Sequence, residues 1–169
     1  MSEIRVGTMI FFWRIALVII GFLPLLLGYL HEYLMMTVYR YNPPGALGSG
    51  FIMLSGYAVI IIWFFAGVLS AKAFKSNKEP LLLLNAAGIF AAALVLVQML
   101  VLAYFWNNFM GLLSQFFFLP FFSLHLVRLV FIMLSWLVPN FMLLLVFSSL
   151  FCLIFAFWLG FRYGKSRAA

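Results

Sequence analysis

The sequence predicts an all-α integral membrane protein: a four-transmembrane-helix bundle with an additional apolar helical hairpin, re-entrant or interfacial, on its outer side. Hydrophobic residues make up 68% of the 169 residues and charged residues only 8%, and the mean hydropathy is +1.23. A soluble domain carries about 25% charged residues, so this chain could not cover its surface in water. Four apolar runs also reach the roughly 20 residues that a spanning helix needs.

The predicted spans form a single membrane domain over residues 1–169 and lie at about 8–30, 51–70, 81–106 and 141–161. Prolines and glycines between residues 42 and 50 separate the first two spans, because these residues favour loops. A short charged turn, residues 72–80, joins the second span to the third. The first run is longer than the apolar core of a signal peptide and lacks a small-x-small cleavage site, so we expect it to be retained as a span.

The basic residues predict the orientation. The net charge of +7 could suggest nucleic-acid binding, but these residues sit at the ends of apolar runs, where they orient a membrane protein. We therefore expect no nucleic-acid partner. We expect a multi-pass cell-membrane protein with cytoplasmic N- and C-termini, because only Arg40 and Arg128 would then lie outside. The eight cytoplasmic basic residues would be Arg5, Arg14, Lys72, Lys75, Lys78, Arg162, Lys165 and Arg167.

Residues 109–138 are the ambiguous segment of the chain. If the turn at 72–80 and the C-terminal tail both face the cytoplasm, this segment adds an even number of crossings. Two crossings would need residues 109–119 to span, and 11 residues are too short for a core about 30 Å thick. We therefore expect a Phe-rich re-entrant or interfacial hairpin hinged at Pro120. A single fifth span is the alternative, and it would place the tail outside.

Small residues at four-residue spacing predict where helices pack closely, because close backbone approach drives helix association in lipid. The fourth span carries a stripe that we call the small-residue seam: Ser148, Cys152, Ala156 and Gly160. The seam could contact a second subunit or another helix of the same chain, and the sequence leaves both open. Further small clusters at 66–71 and 86–93 predict close packing of the second span against the third.

Ionisable residues within apolar segments are the candidate ligand-binding residues, because burying them is costly in a membrane. Arg14 lies about two turns inside the first span, where its side chain could snorkel to the interface or bind an anionic group. His125 and Arg128 share one helix face at three-residue spacing. That face could bind a phosphate, a carboxylate or a quinone oxygen, or simply meet lipid headgroups.

The remaining polar residues predict little chemistry. His31 and Glu32 are expected to be exposed at the outer end of the first span. Cys152 is the one cysteine, so it has no internal disulfide partner. Two histidines without further haem signals do not predict a haem, and we expect no cofactor, no metal and no catalytic residues.

The sequence does not specify a reaction or a cargo. We expect a non-catalytic accessory subunit, a small polytopic protein that assembles with itself or with a larger membrane complex, with membrane lipids as further partners. The alternative is an oligomeric transporter or channel for a small or lipid-like anion, with Arg14, His125 and Arg128 supplying positive potential. A third hypothesis is a lipid- or quinone-linked enzyme with His125 as base and Arg128 as electrostatic stabiliser.

Overall fold

A computed structural model describes residues 2–41, 46–101, 115–121, 124–136 and 141–168, and its regular structure in those ranges is entirely helical. Six α-helices are described: α1 (Ser2–Gly21), α2 (Leu23–Tyr41), α3 (Ala46–Ala73), α4 (Lys78–Val101), α5 (His125–Leu134) and α6 (Phe141–Ala168). Residues 115–118 form one further helical turn, which leads into a 3-10 turn at Leu119–Phe121.

Four helical segments among the described residues are long and apolar enough to cross a membrane. They are Gly7–Leu34, Met53–Ala73, Lys78–Val97 and Phe147–Arg167. This confirms the predicted all-helical class with four candidate spans, with boundaries shifted by a few residues. Insertion into a bilayer and the outer hairpin stay predictions, and residues 102–114, 122–123 and 137–140 lie outside the described ranges.

The first candidate span contains two helices, because the chain turns at Phe22 between α1 and α2. Pro24 has no backbone N–H and cannot continue a regular α-helical hydrogen-bond ladder. At the turn, the Phe22 amide donates to the Ile19 carbonyl oxygen at 3.1 Å, three residues back, and the Leu26 amide donates to Phe22 at 3.2 Å. The helical path is therefore restored within one turn beyond the proline.

Helices α3 and α6 run parallel and form the most extensive helix pair of the described bundle. A side chain on Gly160 would overlap the Phe64 carbonyl oxygen, and four residues later one on Gly164 would lie 2.7 Å from the Val68 carbonyl oxygen. Residue numbers thus rise together along both helices. Glycine permits this approach because a Cβ would force the two backbones apart.

Helices α1 and α4 complete the bundle and establish its polarity. The turn at 74–77 reverses the chain, so α4 runs antiparallel to α3, and α1 packs alongside α4. Because α6 is parallel to α3, α4 ends and α6 begins at the same end of the described bundle. This arrangement favours an even number of crossings between α4 and α6, and the outer hairpin and the alternative fifth span both stay predictions.

We call the end that holds the 74–77 turn the basic end. The start of α1 and the C-terminal part of α6 both lie there, as do the lysines at 72, 75 and 78.

The aromatic segment 115–121 packs into the bundle near the end opposite the basic end. Phe117 and Phe121 are almost completely buried, with ring centres 6.2 Å apart. The Phe116 backbone lies against Gly28 of α2, and the Pro120 carbonyl oxygen lies against Gly56 of α3. Pro120, the predicted hinge, is buried within the 3-10 turn, so this turn caps the core between α2 and α3.

Candidate functional site

Arg14 lies at the basic end, where it forms an ion pair with the first turn of α4. Its Nε is 2.6 Å from the Glu79 Oε1, and both side chains are about half exposed. A half-exposed pair contributes at most about 1 kcal/mol to stability, because water screens it. The guanidinium therefore reaches the polar boundary of the bundle and meets a carboxylate of the same chain there.

His125 and Arg128 both lie on α5, and the structure describes their backbone but not their side chains. The helix packs against α6, and Leu124, just before it, contacts the Gly56 position of α3. Gly56 is 14 residues from Ser70, where Trp13 of α1 makes a hydrogen bond, a rise of about 21 Å along a helix. Arg14 is thus far from the α5 pair, and the three predicted ligand-binding residues do not form one site.

The small-residue seam is used within the chain. Ser148, Cys152, Ala156 and Gly160 are all buried, and Gly160 lies directly beneath the Phe64 backbone of α3. Of the two alternatives that the sequence leaves open, the structure thus shows the intrachain contact.

The predicted close packing of the second span against the third is wrong. Gly67 of the cluster at 66–71 meets the Phe157 carbonyl oxygen of α6, and α3 makes few contacts with α4. Sequence adjacency favoured the α3–α4 pair, but the complementary glycines lie on α3 and α6.

Two tryptophan hydrogen bonds link helices within the bundle, and the sequence predicts neither of them. The Trp63 indole donates to the Asn85 Oδ1 at 3.0 Å, linking α3 to α4, and both side chains are buried. The Asn85 amide donates in turn to the Leu81 carbonyl oxygen at 2.9 Å. The Trp13 indole donates to the Ser70 hydroxyl at 3.3 Å, linking α1 to α3. Nothing in the sequence spacing pairs these tryptophans with their acceptors.

His31 also differs from expectation, because it is buried and not exposed at the end of the span. Glu32 beside it is partly buried. The helix α2 continues past the predicted boundary to Tyr41, so these residues lie within a helix and not at its edge.

An apolar groove of about 710 Å³ opens on the outside of the bundle, with helices α1 and α2 on one side and α4 on the other. We call it the lateral groove. Ala86 and Ala87 line it on the α4 side, and Phe22, Leu26 and Phe90 are exposed residues of its lining. Tyr29 and Phe116 close its far end with an edge-to-face contact between rings 5.8 Å apart.

A row of stacked aromatic rings projects from the outward face of α6, and we call it the aromatic ridge. Phe151 and Phe155 are 55% and 46% exposed, with nearly parallel rings 6.2 Å apart. Trp158 stacks on Phe155 at 6.0 Å, and the Arg162 guanidinium lies 4.8 Å from the centre of the Trp158 ring. Aromatic stacking and the cation–π contact stabilise this arrangement of the side chains.

Scans against protein-family models, curated proteins and solved structures each found no match to this chain. Within the described ranges, no three histidine, cysteine or acidic side chains are grouped closely enough to hold a metal ion. The polar contacts seen in the interior link helices to one another. The lateral groove and the aromatic ridge are the two surface features from which we argue a function below.

Proposed function

We propose that this chain is a small non-catalytic membrane subunit that assembles with copies of itself, alone or as part of a larger membrane complex. The observation that supports it is the lateral groove, an outward-facing depression lined by Ala86, Ala87 and aromatic side chains. Helices associate in lipid by close packing over small residues. The small-residue seam is buried within the chain, with Gly160 against α3, whereas the lateral groove is exposed and lined by alanines that a helix could pack against.

The aromatic ridge of a second copy is the occupant that the geometry favours. Copies related by rotation about the membrane normal sit at the same depth, so a groove and a ridge can meet only at one level. Trp63 bonds to Asn85, and the adjacent Phe64 lies over Gly160, which places Asn85 and Gly160 at about the same level. Phe90 lies five residues after Asn85 on α4, and Phe155 lies five residues before Gly160 on α6. Because the two helices run in opposite directions, both lie about 7.5 Å from that level, toward the end opposite the basic end.

Ridge and groove therefore overlap in depth. Because they lie on different faces of the molecule, the contact is heterologous, and it builds a ring if the rotation closes. The ring contacts along the ridge also favour association, because side chains that already contact one another lose less conformational freedom on binding.

Cysteine cross-linking in the membrane tests this contact directly. In a Cys152→Ala background, Ala86→Cys combined with Phe155→Cys places one thiol in the lining of the groove and one on the ridge. Mild oxidation is expected to give covalent dimers and a ladder of higher species, because each copy carries both partners. The matched control replaces Ala86→Cys by Ala58→Cys, an exposed alanine of α3 outside the groove. Equal cross-linking in both pairs would argue against the contact.

Native mass spectrometry in a mild detergent supplies the second measurement. The unchanged chain is expected to be a homo-oligomer, and Ala86→Leu, which adds bulk to the lining of the groove, is expected to shift it to the monomer. Ala58→Leu should leave the oligomer intact. A monomer of the unchanged chain, with no partner retained, would overturn the assembly function. A stable complex that contains a different polypeptide and only one copy of this chain would overturn self-association. The groove would then be the binding site for that polypeptide.

A further inference from the structure

A second groove, of about 490 Å³, lies at the basic end between α1 and α3. We call it the basic-end groove. Met9, Phe12 and Ala16 line its α1 side, and Leu69 and Lys72 are among the residues of its α3 side. The two helices barely touch here, and the hydrogen bond from Trp13 to the buried Ser70 bridges them. The Trp13–Ser70 hydrogen bond therefore links the two helices beside the groove.

The lining of the groove is mostly apolar, and Lys72 is its charged residue. Ser70 and Trp13 mark one level, and Ala16 lies three residues deeper, about 4.5 Å toward the apolar middle of the span. Lys72 lies two residues beyond Ser70 in the opposite direction, near the end of the candidate span Met53–Ala73, and is exposed. An acyl chain would find apolar walls, and a headgroup would meet the ammonium.

The surrounding charges favour an anionic headgroup. Lys75 in the 74–77 turn and Lys78 at the start of α4 follow in sequence and are exposed. Glu79 is the acidic residue in the first turn of α4, and its carboxylate is engaged by Arg14. The Arg14–Glu79 pair therefore neutralises the nearby negative charge and leaves the lysines to set the local potential. Basic pockets between spanning helices are a recurring way of binding anionic lipids.

We propose that the basic-end groove binds one anionic phospholipid, with the headgroup phosphate at Lys72 and an acyl chain between Ala16 and Leu69. This site is separate from the lateral groove and does not depend on the proposed assembly. The lipid would fill the gap between α1 and α3 and couple the first helix to the rest of the bundle.

Lipid titration of the delipidated full-length chain, followed by native mass spectrometry, tests the site. Phosphatidylglycerol and phosphatidylcholine with identical acyl chains are compared. We expect phosphatidylglycerol to be retained preferentially, and Lys72→Gln to weaken its binding about five-fold, the loss of one surface charge contact. Lys75→Gln is the matched control, because Lys75 is also an exposed lysine, three residues from Lys72, and does not line the groove.

A second pair of variants separates a lipid in the groove from a phosphate on the surface. Ala16→Leu narrows the apolar part and is expected to reduce phosphatidylglycerol binding, whereas Ala58→Leu leaves it unchanged. Equal retention of the two lipids, or equal effects of Lys72→Gln and Lys75→Gln, would overturn the proposal. A loss with Lys72→Gln but none with Ala16→Leu would also overturn it, because the acyl chain would then lie elsewhere.

Discussion

At the scale of single residues, the Trp63–Asn85 hydrogen bond is the polar contact that most constrains the bundle. Both side chains are buried, and Asn85 accepts from the indole while donating to Leu81. Asn85→Leu keeps the number and branching of the side-chain heavy atoms but removes the acceptor and leaves the indole N–H without this partner. We expect a loss of about 1–2 kcal/mol in the free energy of unfolding, measured by titration with a denaturing detergent and followed by tryptophan fluorescence.

A double-mutant cycle separates the hydrogen bond from packing. Trp63→Phe removes the donor, so the double variant Trp63→Phe with Asn85→Leu should be less destabilised than the sum of the two single variants. Coupling of this kind is expected only for residues in contact. Strictly additive losses would show that the bond contributes nothing beyond the volumes of the two side chains.

At the scale of helices, the α3–α6 contact is the interface most sensitive to a single methyl group. A Cβ at Gly160 would overlap the Phe64 carbonyl oxygen, which is backbone and cannot move aside. Gly160→Ala is therefore expected to lower the free energy of unfolding by about 1–3 kcal/mol, the usual cost of overpacking. Thermal unfolding in detergent, followed by far-ultraviolet circular dichroism, measures the change.

The same substitution at Gly7 is the control for this prediction. Gly7 lies within α1 and a Cβ there would meet nothing within 4 Å, so only the helix propensity changes. Alanine is favoured over glycine in a helix by about 1 kcal/mol, and Gly7→Ala should be neutral or slightly stabilising. Equal melting temperatures for the Gly160 and Gly7 variants would contradict the tight contact.

The helical elements also show what the sequence predicts and what it leaves open. Apolar run length predicts four spans, and four-residue spacing predicts that Ser148 to Gly160 face a neighbour. Neither signal names the neighbour, because any helix with small residues at a matching level satisfies the same pattern. Glycines on both α3 and α6 decide it, since two reciprocal close approaches are available there. The partners of Trp63 and Trp13 depend on this packing and so were not predictable.

The candidate ligand-binding residues were predictable only as residue types. Arg14 was recognised as an ionisable residue within an apolar run, but its partner Glu79 lies 65 positions away in the chain and reaches it only because α1 packs beside α4. Likewise, neither groove is visible in the sequence. Each is bounded by two chain segments far apart in sequence, and its depth depends on how closely those helices approach.

At the scale of the whole molecule, the parallel arrangement of α3 and α6 predicts which parts of the chain share a side of the membrane. The start of α1, the turn at 74–77 and the end of α6 lie at the basic end, whereas α5 packs near the opposite end. Positively charged segments are retained in the cytoplasm, so the basic end is expected to face inward.

Site-directed labelling tests this topology in sealed vesicles of known orientation. In a Cys152→Ala background, single cysteines are introduced at Ser2, Ser76, Ser166 and Trp136, the last of these 89% exposed just after α5. A membrane-impermeant maleimide should modify the first three from the cytoplasmic side and the fourth from the outside. Labelling of Ser76 and Ser166 from opposite sides would require an odd number of crossings between α4 and α6. The parallel pairing of α3 with α6 could not survive that result, because the glycine contacts at 160 and 164 exist only when both helices run in the same direction.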